Sequence, residues 1–221
     1  GVEGPCETTT VRLSDGRLMN LFRLESGSRY GQSWSRDEGR TWSSPVFTTG
    51  PFSVEPSMVL LPSGVLALSG GRPGLFLWLD REGGGERWQE VNVHAHHNRC
   101  VPEEPIARIS MEGWKHNTTA YTELALLDPT HLLYIYDRIP GGHNQPPPAG
   151  DSNSVWVVRI TVERVPSYGQ FCCRPILGAD HTSGDDGVYF ERFRIPMYTV
   201  YTTPIMVSAK DIPKGTMILI K

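Results

Sequence analysis

The chain has no excess of positive charge and no long apolar run. It carries 21 Lys and Arg against 24 Asp and Glu, and the formal net charge of -3 at pH 7 gives no reason to expect a nucleic-acid partner. No apolar stretch approaches the roughly 18 residues that a membrane-spanning helix needs, and the first residues lack the basic and apolar segments of a signal peptide. We therefore expect no membrane-spanning segment, and a protein that is soluble or is a processed or partial piece.

Cysteine is scarce in this chain. The four cysteines show no zinc-like Cys-x-x-Cys spacing, and the adjacent pair is poorly suited to mutual bridging; they are Cys6, Cys100, Cys172 and Cys173. Disulfide bonding is left open. The sequon Asn117-Thr118-Thr119 matters only if the chain is secreted. The localisation is left unknown, with an extracellular or secretory compartment favoured.

Glycine and proline, in contrast, are abundant. The 23 Gly and 18 Pro favour a fold of many short strands and turns over a helical one. The octapeptide from Ser35 to Trp42 fits the Asp-box pattern Ser-x-Asp-x-Gly-x-Thr-Trp, which marks one blade of a β-propeller. Ser35 and Asp37 can bond turn backbone, Gly39 can supply a positive φ, and we expect Trp42 to pack between sheets.

Three segments repeat the order apolar strand, turn, apolar strand, as propeller blades do. They comprise residues 9–22, residues 57–68 with a further strand at 75–79, and residues 122–136 with a further strand at 155–162. A second Asp box around Asp80, Gly83 and Trp88 has lost its spacing. Residues 1–164 are thus predicted to form blades, 165–188 a linker or loop, and 189–221 the start of a further blade, with strands at 193–200 and 216–220.

Four motifs resemble those of the exo-α-sialidase family. The segment from Glu7 to Arg23 resembles a stretch in which a Glu opens one strand and an Arg closes the next around an Asp-Gly-Arg turn. The sequence Gly71-Arg-Pro-Gly74 resembles the family's later strand-end arginine, and Ala120-Tyr-Thr-Glu-Leu124 resembles its Tyr-Ser-x-Leu motif. Phe193-Arg-Ile-Pro196 matches the motif with which sialidase domains begin. The predicted fold is therefore all-β, a sialidase-like propeller of four-stranded antiparallel blades.

The resemblance implies a role for five residues. Arg23, Arg72 and Arg194 are the candidates for the arginine triad that binds the carboxylate of a sialic acid, because guanidinium groups match carboxylates in charge and geometry. Tyr121 is the implied nucleophile and Glu7 its base, since a neutral hydroxyl is not repelled by the substrate carboxylate. The implied reaction removes a terminal sialic or related nonulosonic acid from a glycoconjugate, with no metal and no organic cofactor.

Two features keep a second function open, that of a catalytically inactive propeller that binds glycans or acts as a structural interaction module. The family's acid/base Asp has no match, and the starting motif lies after segments that resemble the second half of a sialidase domain. The order fits a tandem array, a permutation or an incomplete chain. A complete propeller has six blades of about 45 residues, so about three and a half blades need further blades or another chain to close the ring. Whether the chain is an enzyme is therefore uncertain, and the expected partner is a sialylated glycan.

Other polar and aromatic clusters have simpler interpretations. The histidines of Val93-His-Ala-His-His-Asn98 suggest a metal site by their alternation, but no acidic or cysteine partner lies at a recognisable spacing, and we predict a solvated loop. Glu103 and Glu104 are interpreted as surface charge. Four large aromatic residues are predicted to lie in the core: Trp78, Tyr134, Tyr136 and Trp156.

Overall fold

The computed structural model describes residues 4–24, 29–107, 118–164, 191–195 and 198–207. Within these ranges the chain is mostly β, with three antiparallel sheets and one short helix. The predicted linker at 165–188, the predicted strand at 216–220, the sequon residue Asn117 and the pair Cys172 and Cys173 lie outside the described residues. Among the described residues no disulfide bond is formed, and none of their helices is long and apolar enough to cross a membrane.

Sheets 1 and 2 each have four strands in chain order. Sheet 1 consists of β1 (Cys6–Arg12), β2 (Leu18–Arg23), β3 (Arg29–Ser35) and β4 (Val46–Phe52). Sheet 2 consists of β5 (Ser57–Leu60), β6 (Leu66–Gly70), β7 (Phe76–Asp80) and β8 (Gln89–Val91), and helix α1 (Val93–Cys100) follows it. The predicted strand-turn-strand units are antiparallel hairpins here, as for example β1 with β2 in the register Thr10 opposite Asn20.

Sheet 3 has five strands, in the order β12-β13-β11-β10-β9. The strands are β9 (Thr122–Asp128), β10 (His131–Arg138), β11 (Ser154–Arg164), β12 (Glu191–Ile195) and β13 (Tyr198–Val207). The sequence predicted one strand from 193 to 200 in a further blade. In the structure residues 191–195 and 198–207 are instead two strands that pair antiparallel, and β13 pairs with β11 along its whole length, so both strands belong to sheet 3.

Sheet 2, which packs against both other sheets, is buried on both faces. All five residues of β6 and all five of β7 are buried. One apolar cluster packs sheet 2 against sheet 1 through residues such as Met19, Tyr30 and Trp78. A second cluster packs sheet 2 against sheet 3, and it contains Tyr134, Tyr136 and Trp156, so the core prediction for the four large aromatic residues is confirmed.

Both Asp boxes form compact turns. In the first, Asp37 accepts hydrogen bonds from the Thr41 N–H (2.8 Å) and hydroxyl (2.6 Å), and Gly39 has the expected positive φ of 82°. Trp42 donates its indole N–H to the Gly39 carbonyl and is 40% exposed, so the prediction that it packs between sheets is wrong. The Trp42 indole packs against its own turn and is partly open to solvent.

The second Asp box works despite its altered spacing. Asp80 is fully buried, and its carboxylate accepts the N–H groups of Gly85 (2.8 Å), Glu86 (2.9 Å) and Arg87 (3.2 Å). Trp88 donates its indole N–H to the Gly85 carbonyl at 3.0 Å, which is the contact that Trp42 makes in the first box. An acidic side chain that bonds successive backbone N–H groups therefore tolerates a longer turn than the sequence pattern allows.

The histidine segment is a helix and not a solvated loop. Asn92 caps α1 by accepting from the Ala95 N–H at 2.8 Å, and His96 and His97 are fully buried. His97 contacts the Tyr136 hydroxyl through Nδ1 (2.8 Å) and the Glu104 carbonyl through Nε2 (2.9 Å). The loop prediction failed because the buried polar partners come from β10 and from the segment after α1, which local sequence does not reveal. Among the described residues no group of three His, Cys, Asp or Glu is arranged to hold a metal ion.

Candidate functional site

The first strands of the three sheets lie side by side. Strand β1 packs beside β5, and β5 packs beside β9. Side-chain hydrogen bonds join them, from the Met58 N–H to the Thr9 hydroxyl (3.3 Å) and from the Leu124 N–H to the Ser57 hydroxyl (3.3 Å). Since neighbouring strands in each sheet are antiparallel, the beginnings of β1, β5 and β9 and the ends of β2, β6 and β10 face the same edge of the molecule. Four of the five predicted site residues lie along this edge.

Glu7 and Arg23 form an ion pair at the edge of sheet 1. Arg23 Nη1 donates to Glu7 Oε1 at 2.5 Å, and Arg23 is only 6% exposed. The antiparallel pairing of β1 with β2 places the two residues together, because Cys6 at the start of β1 lies opposite Arg23. Glu7 has a φ of 42°, in the left-handed region that non-glycine residues rarely adopt. Glu7 and Arg23, two of the residues that the resemblance implies, are thus in direct contact in the structure.

Arg72 and Tyr121 form the second pair, between sheets 2 and 3. The Arg72 guanidinium lies over the Tyr121 ring, with its Cζ 5.4 Å from the ring centroid, a cation–π distance. The Arg72 N–H donates to the Ala120 carbonyl at 3.2 Å, and a Cβ at Gly71 would lie 1.9 Å from that same carbonyl oxygen. Glycine at position 71 therefore permits the backbone approach that brings Arg72 to Tyr121.

The backbone around each member of this pair is held by hydrogen bonds. The Ser53 hydroxyl contacts the carbonyl oxygens of Gly71 (2.7 Å) and Arg72 (2.9 Å). On the other side, the Asp137 carboxylate accepts from the N–H groups of Ala120 (2.6 Å) and Tyr121 (3.2 Å). The ring of Tyr121 is 41% exposed, so the side chain is accessible from solvent while its backbone is fixed.

His143 borders the Tyr121 ring on a further side. The two rings meet edge to face, with centroids 5.9 Å apart. Burial and the nearby Arg72 charge lower the pKa of His143 below its usual value, and the Asp137 carboxylate opposes them. This shift favours the neutral imidazole beside Tyr121.

Glu55 lies near both the Glu7–Arg23 pair and the Arg72–Tyr121 pair, and it was not among the site residues predicted from the sequence. Its backbone N–H donates to Glu7 Oε2 at 2.7 Å, and it lies two residues before β5. Burial raises the pKa of the Glu55 carboxyl, and the nearby carboxylates of Glu7, Glu123 and Asp137 raise it further, whereas Arg72 lowers it. A signal was present in the sequence, since Glu55 precedes Arg72 by 17 residues, much as Glu7 precedes Arg23 by 16.

Two relationships that the resemblance implies, a contact of Glu7 with Tyr121 and a grouping of Arg194 with the other arginines, are not seen among the described residues. Glu7 and the Tyr121 hydroxyl share no hydrogen bond within the described residues, because both Glu7 oxygens contact other donors. Arg194 lies in β12, at the far edge of sheet 3 from β9. Three strands separate β12 from β9, and at about 4.8 Å per strand spacing this is roughly 19 Å of sheet. The described strands therefore bring together Glu7, Arg23, Arg72 and Tyr121, and they leave Arg194 apart.

The strand-end arginine of sheet 3 has a structural role. Arg138 ends β10, as Arg23 ends β2, and is nearly buried. Its Nη1 and Nη2 donate to the two carboxylate oxygens of Asp151 at 2.8 and 2.9 Å, and its Nε donates to the Glu104 carbonyl at 3.0 Å. Glu104 was interpreted as surface charge, yet its carboxylate also lies 3.6 Å from Arg138. This guanidinium is engaged within sheet 3 and its loops.

Comparisons with known proteins give similarity to solved sialidase structures. The intramolecular trans-sialidase from Ruminococcus gnavus, solved with oseltamivir carboxylate, is 16% identical over 73% of this chain, with a TM-score of 0.40. The leech intramolecular trans-sialidase, solved with 2,7-anhydro-Neu5Ac, is 15% identical over 91% of this chain, with a TM-score of 0.44. A variant of the NanB sialidase from Streptococcus pneumoniae is 17% identical over 67% of this chain, with a TM-score of 0.37.

This chain spans less than a third of each of those structures, at 30%, 24% and 20% of their lengths. No protein-family model matches the sequence, and no curated protein matches it. At TM-scores below 0.5 the likeness does not establish a shared fold or a shared activity. The residues at the sheet edge and their contacts carry the functional argument.

The edge combines three chemical capacities. Two arginines provide cationic hydrogen-bond donors that suit a carboxylate. An exposed tyrosine hydroxyl beside a guanidinium can act as a nucleophile once it loses its proton. Carboxylates next to both groups can take that proton.

Proposed function

We propose that this chain carries part of a sialidase-type active site on a sialidase-like β-propeller, which removes terminal sialic or related nonulosonic acid from glycoconjugates. The observation that carries the proposal is the Arg72 guanidinium held over the exposed Tyr121 ring by backbone contact through Gly71. It puts a carboxylate-binding group and a candidate nucleophile at one place, beside the Glu7 and Arg23 pair.

In the proposed reaction Arg72 and Arg23 bind the substrate carboxylate. Arg72 also positions the Tyr121 ring through the cation–π contact, and Glu7 is the candidate base that takes the proton of the Tyr121 hydroxyl. The phenolate oxygen then attacks the anomeric carbon, to which the substrate carboxylate is attached, and water releases the sugar in a second step. Arg194 remains a candidate third arginine, and a group outside the described residues protonates the leaving oxygen of natural substrates.

A direct test is fluorophore release from 4-methylumbelliferyl α-sialoside by the intact protein and by two variants. We expect Tyr121→Phe to lower kcat by about 10³-fold or more, since general base and nucleophilic assistance are both lost. Arg72→Lys keeps a positive charge but loses the bidentate geometry, so we expect mainly a rise in KM. Equal activity of Tyr121→Phe and the intact protein would remove Tyr121 from the mechanism.

A second candidate function, glycan binding without hydrolysis, is favoured by two features. The described edge presents two of the three proposed triad arginines, and the sequence shows no match to the family's acid/base Asp. Binding of 3′-sialyllactose, measured by calorimetry on the same protein, separates the two functions. Binding that Arg72→Ala abolishes, without release of product over hours, would favour the binding module.

A further inference from the structure

A cleft lies at the edge of sheet 1 that is opposite to Glu7 and Arg23. It has a volume of about 400 Å³ and adjoins the first Asp box, and we call it the Asp-box cleft. Strand β2 runs six residues from this end to Arg23, which is roughly 20 Å at about 3.4 Å per residue. The cleft is therefore separate from the candidate site. Its lining residues are Arg17, Trp34, Arg36, Thr41, Trp42 and Ser43.

Strand pairing brings two arginines together in the Asp-box cleft. In the pairing of β2 with β3, Leu18 lies opposite Ser35. Arg17 precedes the first of these residues and Arg36 follows the second, so the two arginines are neighbours across the end of the strand pair. Burial raises the pKa of the Asp15 carboxyl, but the hydrogen bonds of Arg17 and the charges of Arg17 and Arg36 outweigh it and leave the pKa lowered. Two guanidinium groups therefore face one carboxylate.

The two guanidinium groups keep hydrogen-bond donors available. Asp15 accepts from Arg17 through Nε at 2.6 Å and through the backbone N–H at 3.0 Å, which leaves both Nη groups of Arg17 without a partner among the described residues. Arg36 is exposed, and its guanidinium forms no hydrogen bond or ion pair within the part of the chain that the structure describes. The next carboxylate along the chain, that of Asp37, accepts instead from Thr41. The cleft can thus donate several charge-assisted hydrogen bonds to a bound anion.

Two tryptophans supply flat apolar surface beside these donors. The Trp42 indole is 40% exposed, and its hydrogen bond to the Gly39 carbonyl at 3.0 Å holds its orientation. Ser43 fixes Trp34, because the Ser43 N–H donates to the Trp34 carbonyl at 2.8 Å and the Ser43 hydroxyl accepts from the Trp34 N–H at 3.1 Å. Restrained aromatic rings next to a few convergent polar groups are typical of sites for small ligands. A sugar ring suits such a surface, since its C–H groups pack on the face of an indole.

We propose that the Asp-box cleft binds an acidic sugar residue of a glycan. A carboxylate or sulfate group of the sugar contacts Arg17 and Arg36, and the sugar ring packs on Trp42. An inorganic anion or an acidic peptide would use the arginines but gain little from the exposed indole, and the net charge of -3 does not suit a nucleic acid. The inference goes beyond the proposed hydrolysis and does not depend on it, because the site would hold the protein on an acidic glycan whether or not the opposite edge cleaves one.

The test is a calorimetric titration of the intact protein with tetrasaccharides of chondroitin 4-sulfate, of its chemically desulfated form, and of neutral cellulose. These probes contain no sialic acid, which keeps them distinct from the substrate proposed for the other edge. We expect a chondroitin probe to bind about tenfold more tightly than cellotetraose or better, because charge-assisted hydrogen bonds require the anionic group. Equal binding of the two chondroitin forms assigns the contact to the carboxylate, whereas loss on desulfation assigns it to the sulfate, and either result supports the inference.

Variants test whether the sugar binds in the cleft. Arg36→Ala and Trp42→Ala should each raise Kd about tenfold or more, and Arg36→Lys should raise it less, since lysine keeps the charge without the planar fork. Arg40→Ala is the matched control, because Arg40 is an exposed arginine of the same turn that does not line the cleft. We expect its Kd to change within about twofold, since solvent screens a charge that makes no contact. Arg72→Ala, at the other edge, should bind like the intact protein.

The inference is overturned if no chondroitin probe binds at millimolar concentration, if cellotetraose binds equally well, or if Arg36→Ala binds like Arg40→Ala. Binding that Arg72→Ala abolishes and Arg36→Ala retains would place the sugar at the candidate site and would also refute it. Unchanged binding by Trp42→Ala, with folding verified by calorimetric melting, would leave an anion site without a sugar contact and would refute the proposal as stated. Sialoside hydrolysis is a separate measurement that Arg36→Ala should leave unchanged, so failure of this inference and failure of the proposed function are distinguishable.

Discussion

His97 is expected to make the folded state sensitive to weak acid. Its imidazole is fully buried, with the Tyr136 hydroxyl at Nδ1 and the Glu104 carbonyl at Nε2. A carbonyl only accepts, so Nε2 carries the proton and Nδ1 accepts from the tyrosine hydroxyl, which is the neutral tautomer. Burial lowers the pKa of His97 from 6.5 to about 4, and the charge of Arg138 acts in the same direction.

The sign and size of the effect follow from this lowered pKa. The unfolded chain binds a proton near pH 6.5 and the folded chain only near pH 4, so stability falls as the pH falls through this interval. The full difference corresponds to about 3 kcal/mol, at 1.36 kcal/mol per pKa unit. Between pH 7 and pH 5 we expect a loss of about 2 kcal/mol in the free energy of unfolding from His97.

The comparison of His97→Gln with the intact protein isolates this contribution. Glutamine offers one donor and one acceptor and does not titrate, so the pH 7 to pH 5 loss should shrink by about 2 kcal/mol in the variant. Urea unfolding followed by tryptophan fluorescence at the two pH values measures it by linear extrapolation. The same pH-dependent loss in both proteins would refute the buried neutral His97.

Two further predictions concern the backbone of the site and the Asp boxes. Gly71→Ala forces a methyl group into the Ala120 carbonyl, so we expect a lower melting temperature and loss of site function, whereas unchanged melting by calorimetry would contradict the close approach. Asp80→Ala leaves four backbone N–H groups of one turn without their acceptor, with the Gly85 N–H in a buried bond and the others in partly buried ones, and should cost about 2 to 4 kcal/mol in urea unfolding. Asp37→Ala, in the exposed first box, should cost clearly less, and the reverse order would show that the second box is not a structural turn.

The sequence predicted the hairpins, because these depend on short-range patterns. In the structure the hairpin of β1 and β2 brings Glu7 and Arg23 together, since antiparallel pairing places the start of one strand beside the end of the next. The sequence pattern did not show that the turn at Asp80 forms like the first Asp box, because this turn is longer than the motif. Its carboxylate nevertheless accepts the same kind of backbone hydrogen bonds. The pattern describes spacing, whereas the turn depends on hydrogen bonds.

Contacts between sheets could not be predicted from the sequence. The burial of His97 depends on β10 and on the segment after α1, and the proximity of Arg72 to Tyr121 depends on the packing of sheet 2 against sheet 3. The position of Glu55 beside Glu7 was not predicted, because it depends on the order of the strands and on a left-handed backbone, neither of which a motif records. Strand pairing, likewise, places Arg194 at the far edge of sheet 3.

Covalent trapping tests most directly the proposal that Tyr121 is a nucleophile at an anionic-sugar site. The intact protein is incubated with a 2,3-difluoro sialic acid, whose fluorine at C3 slows breakdown of the glycosyl-enzyme, and is digested for mass spectrometry. The account predicts one sugar attached to the peptide that contains Tyr121 and none in Tyr121→Phe. A sugar attached to another residue, or no adduct on a protein that hydrolyses sialosides, would contradict it.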